Sequence, residues 1–211
     1  FMLVVSDFLK AFFLIFAIVD PFASLPLFIS LTLRMDEKKQ KATRNTAILV
    51  AGGTLFIFAL IGKYILYFLN VSLEALMIAG GILILLVGIE MVREGDKPRG
   101  KEKKREIIDI QERDGEEDVG IVPLGIPMLA GPGSISLVIV LMERMNPVIV
   151  LLATACVLVI SWFFFLFAPT ISLLIGKKGS KVMTRIMGLL VSGFAIQFIL
   201  DGIKEWYLNN L

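Results

Sequence analysis

The sequence contains no histidine and a single cysteine, Cys156. Without histidine there is no HExxH zinc site, no Ser-His-Asp triad and no histidine proton relay. One cysteine inside an apolar run excludes a disulfide framework and a CxxC redox pair, and predicts a small buried apolar residue. GxSG nucleophile, GxGD and GxxxxGK[ST] motifs are also missing, so no hydrolytic centre or nucleotide site is expected. Nothing points to a metal, an organic cofactor or nucleic acid. Charge is thin as well: 19% of residues are charged, against about a quarter in soluble domains. It is gathered in a few clusters, and the net charge of +2 says less than that distribution.

What fills the chain is hydrocarbon. Of its 211 residues 57% are hydrophobic, 16 are phenylalanine, and mean hydropathy is +0.85. A span needs roughly 20 mostly apolar residues. Six such runs occur, at about 7–33, 46–69, 73–92, 121–142, 147–175 and 183–207. The first lacks a basic leader and a cleavage site and is read as a span that stays in place. The predicted fold class is therefore an all-α membrane protein of six transmembrane helices.

Most of the 21 basic residues fall in three loops. The first carries Arg34, Lys38, Lys39, Lys41 and Arg44, the second runs from Arg93 to Arg113, and the third carries Lys177, Lys178, Lys181 and Arg185. Basic loops stay on the cytoplasmic side. This predicts a multi-pass protein of the cytoplasmic membrane with both termini outside and the linker 93–119 inside. That linker begins basic, ends acidic, and reads as a solvated connector.

Three spans precede the linker, 1–92, and three follow it, 120–211, so an internal repeat must be inverted in the membrane. Sliding the second half back by 111 residues places Pro132 on Pro21 and Ser134 within one turn of Ser24. The polar, helix-breaking motifs DPFASLP and GPGSIS then fall in the first span of each half. Asp followed by Pro is a helix start, because Asp caps the free N–H groups and proline fits the first helical position. The first and fourth helices are thus expected to be broken. Broken backbone at that depth must be buried in protein or line a polar cavity. The start at Gly131, Pro132, Gly133, Ser134 and Ser136 is a natural seat for a carboxylate.

In the sixth span Gly193, Gln197 and Asp201 recur every four residues and share a face. Gly188 and Ser192, like Gly80, Gly81 and Gly88 in the third span, suit close helix packing. Trp206 and Tyr207 suit the membrane interface.

The motifs DPFASLPLFISLT and IPMLAGPGSIS, with Gln197, Asp201 and Gly202 in the last span, resemble those of the MarC family of six-span inner-membrane proteins. The resemblance covers nearly the whole chain. It departs at Asp20 and Ala23, where family members often carry Asn and Gly. The resemblance implies transport of small neutral amino acids such as glycine, alanine and serine. The leading expectation is a secondary transporter, coupled to protons or sodium, and not an enzyme. Pro21, Ala23, Ser24 and the Gly131 to Ser136 start, with Gln197, would hold the substrate through backbone N–H groups and serine hydroxyls. Asp20 would meet the ammonium group, and Asp20 and Asp201 are the candidates for the coupling ion. The expected partners are the amino acid, the bilayer and further copies of the chain. The alternatives are an exporter of other small metabolites or drugs, and a regulatory membrane protein that transports nothing.

Overall fold

A computed structural model of the chain describes residues 2–33, 35–93 and 120–209. Beyond Arg93 the predicted linker lies outside the described residues. Among these residues there are helices and no strands. In chain order they are α1 (Met2–Val19), α2 (Pro21–Thr32), α3 (Glu37–Phe68) and α4 (Leu73–Arg93). An irregular helical coil, Gly120–Leu129, interrupted at Val122 and Ile126, leads into α5 (Pro132–Arg144), α6 (Pro147–Leu166) and α7 (Ala168–Asn209). Five stretches are long and apolar enough to cross a membrane, and the bent pair 120–129 with 132–144 makes a sixth.

The spans follow the predicted order, with shifted boundaries. The basic loop predicted over Arg34 to Asn45 is largely helix. Asp36 caps α3 by accepting the Lys39 N–H at 2.8 Å, and Lys38, Lys39 and Lys41 project from its first turns as exposed side chains. Lysine, glutamate, glutamine and alanine are good helix formers, so polarity there marks the end of the membrane and not the end of the helix. The fifth span stops at Leu166, short of residue 175. Residues from Ala168 open α7, which breaks at Gly176, φ 63, a conformation open to glycine at little cost.

Several helix pairings correspond between the two halves. α1 packs on α6, and its counterpart, the 120–129 coil, packs on α3. α2 meets α7 as α5 meets α4, and α1 meets α5 as the coil meets α2. Exchanging the two halves leaves this set of pairings unchanged, and the most extensive pairing, α4 with α7, is its own counterpart.

Small residues set that crossing. A Cβ on Gly88 would lie 2.4 Å from Ser192 Oγ, one on Gly188 would lie 2.8 Å from the Gly88 carbonyl oxygen, and one on Gly81 would lie 2.5 Å from Ile199 Cγ1. Against α6 the first span is held by aromatic pairs: Phe28 stacks on Phe165 at 4.7 Å, and Phe22 meets Phe164 edge-on at 4.6 Å. Cys156 is exposed on the outer face of α6, contrary to the buried position expected. An apolar span gives a thiol apolar surroundings on either face, so sequence alone does not assign the side.

Candidate functional site

Both predicted breaks are present, and they differ. In the first span one residue interrupts the helix. Proline disfavours the right-handed helical region for the residue before it, and Asp20 adopts the left-handed conformation, φ 39 and ψ 74. Aspartate tolerates this better than most residues. Its Oδ1 accepts the Ala23 N–H at 3.2 Å, which places a carboxylate on the positive end of α2. The Ser24 hydroxyl donates to the Asp20 carbonyl at 3.1 Å.

In the fourth span the break is longer. Val122 and Ile126, each preceding a proline, are extended, again as proline requires. The coil and α5 then meet at 54°. Gly131 occupies the cap position of α5, with Pro132 first in the helix, and no side chain caps it. The first N–H groups of a helix have no acceptor within it. Pro132 has no N–H, so Gly133 and Ser134 present the leading donors.

The serines do not act as expected. Ser134 donates to the Leu129 and Gly131 carbonyls at 3.1 and 3.0 Å, and Ser136 donates to Pro132 at 2.8 Å. Their hydrogens are engaged, leaving their oxygens as acceptors toward a ligand. Donation to a carboxylate therefore falls to the backbone. Asp20, Ser24, Ser134 and Ser136 are 6%, 1%, 2% and 6% exposed, so both motifs are inside the bundle.

The two breaks approach each other. A Cβ on Gly133 would stand 2.9 Å from Ile84 Cγ1 and 3.7 Å from Ile18 Cγ2, two residues before Asp20. Ser136 lies against Gly80 of α4, where an added Cβ would be 2.6 Å from the serine Cβ and 3.7 Å from Phe198. The walls are thus apolar and narrow.

Residues 5–207 match the family described as MarC family integral membrane protein. A UPF0056 membrane protein of Methanocaldococcus jannaschii is 37% identical over 201 residues, covering 93% of this chain and 96% of that protein. The membrane protein YhcE of Escherichia coli is 35% identical over 199 residues, 92% of this chain and 91% of its own length. A relative from Aquifex aeolicus is 32% identical over 202 residues, covering 94% and 92%. The chain belongs to the MarC family. It is an integral, multi-pass membrane protein, and those relatives are named as membrane proteins. No solved structure matches it.

Within this MarC fold Pro21, Ala23 and Ser24 and the Gly131 to Ser136 start lie at the two breaks. Gln197 and Asp201 do not join them. Gln197 is exposed and donates to Asp201 at 2.8 Å. Asp201 stands 3.9 Å from Arg144, which also pairs with Glu205. Lys63 and Glu143 pair at 2.8 Å near the ends of α3 and α5. Ile18 and Ile84, the apolar walls, carry no polar signal by which the sequence could single them out.

Proposed function

We propose that this MarC protein is a secondary transporter of small neutral amino acids, with the carboxylate seated on the start of α5. One comparison between its halves carries this reading. At the cap position of α2 the chain supplies its own carboxylate, Asp20, bonded to the Ala23 N–H. At the matching position of α5 it has Gly131, with no side chain to do so. The first half thus displays the interaction that the second offers to a ligand, through the Gly133 and Ser134 N–H groups and the helix dipole. The walls at Ile18 and Ile84 favour small, uncharged side chains.

Asp20, buried beside the break, faces the ammonium group or carries the coupling proton or sodium ion, since buried carboxylates in spans are costly and usually functional. The basic residues at the start of α3 and after α6 support a cytoplasmic position for that side of the bundle. Uptake of labelled glycine or alanine into proteoliposomes tests the reading. Accumulation should follow an imposed proton or sodium gradient. Absence of uptake and of binding under both gradients would refute it.

A further inference from the structure

Among the described residues the candidate site leaves one buried charge unused. Arg44 of α3 is only 8% exposed. Its guanidinium lies over the ring of Trp162 of α6, 4.6 Å from the centroid. The indole N–H of Trp162 donates to Asn45 Oδ1 at 2.9 Å, so the ring is itself fixed. Among the described residues no carboxylate pairs with this guanidinium, and its buried Nε finds no acceptor.

The surrounding polar groups are otherwise engaged. The Gln40 amide donates to the Thr32 and Met35 carbonyls at 3.2 and 3.0 Å. The Thr43 hydroxyl donates to Met35 Sδ at 3.6 Å. Asp36 caps the helix start, and Glu37, in the first turn, is exposed. The charged neighbour one turn away is Lys41, another cation.

We infer that Arg44 is a binding site for an oxyanion, carboxylate or phosphate, at the basic end of the bundle. A buried charge with no partner among the described residues is costly, and a bound oxyanion relieves that cost. Trp162 covers one face of the guanidinium, so the ligand approaches the edge, where planar N–H groups match two oxygens at once. Arg44 lies about 10 Å along α3 from Glu37, near the depth at which a helix leaves the bilayer interior. Two sources fit that depth: the phosphate of a lipid headgroup, and a small soluble anion or zwitterion passing that end. The inference does not depend on transport, because an oxyanion can bind here whether or not amino acids bind at α5.

Trp162 is a built-in reporter, since the chain has two tryptophans and Trp206→Phe leaves it alone. This variant is purified in dodecyl maltoside, which carries no phosphate, and titrated separately with glycine, inorganic phosphate, short-chain phosphatidylglycerol, and sodium chloride at matched ionic strength. A saturable change in Trp162 emission is expected in at least one arm, lost in Arg44→Gln and about tenfold weaker in Arg44→Lys, which lacks the fork. A response to glycine or phosphate identifies a soluble oxyanion, and a response to phosphatidylglycerol alone identifies a headgroup. Should Arg44→Gln fail to give a monodisperse helical protein, Arg44→Lys serves as the comparison. The inference is overturned if no arm saturates, if chloride reproduces the change, or if the Arg44 variants respond like the parent.

Discussion

Among single residues, Asp20 and Gly133 bear most directly on the proposed site. Asp20 holds a left-handed conformation that costs most residues about 1–2 kcal/mol and that Asn also tolerates. Asp20→Asn should therefore fold normally and keep its cap. If Asp20 carries the coupling ion, the pH or cation dependence of uptake changes in this variant, and an unchanged profile removes it from coupling. Gly133→Ala adds a methyl 2.9 Å from Ile84 Cγ1. It should narrow the seat against the substrate side chain, lowering alanine uptake by about tenfold or more and glycine uptake less. Equal losses for both substrates would place the constraint elsewhere.

At the scale of elements, the α4–α7 crossing and the outer face of α7 make opposite predictions. Gly88 faces Ser192 and the backbone of α7 at contact distance, whereas nothing lies within 4 Å of a Cβ on Gly193. Gly88→Val should lower stability by about 1–3 kcal/mol, as overpacking does. Gly193→Ala should be neutral or stabilise by up to about 1 kcal/mol. Denaturation in detergent, followed by circular dichroism, checks both. The ion pairs of Lys63 with Glu143 and of Arg144 with Glu205 are partly exposed. Glu143→Gln should change stability by less than about 1 kcal/mol, an effect that salt diminishes.

The elements were legible in sequence for clear reasons. Hydrocarbon runs longer than a bilayer cannot hide, and prolines at 21 and 132 announced both breaks. The small residues Gly80, Gly81, Gly88, Gly188 and Ser192 announced the tight crossing. What sequence could not supply is direction. A span surrounded by apolar groups on every side carries a weak inside-outside signal, so Gln197 and Cys156 turned out to be exposed. Nor could it show that the serine hydroxyls bond backward to their own helices, or that Arg44 meets Trp162 across 117 intervening positions.

At the scale of the whole molecule the two halves meet through matched pairings, the arrangement on which inverted-repeat transporters build alternating access. The described halves contact each other directly, so deleting residues 97–117 of the linker should leave uptake intact, whereas an adaptor would lose its partner. On the proposed reading a substrate carboxylate occupies the α5 start opposite Asp20. A structure determined in saturating alanine checks this. The carboxylate should lie about 3 Å from the Gly133 and Ser134 N–H groups, with the methyl toward Ile18 and Ile84. Alanine bound elsewhere in a transport-competent protein, with the α5 start unoccupied, would contradict it.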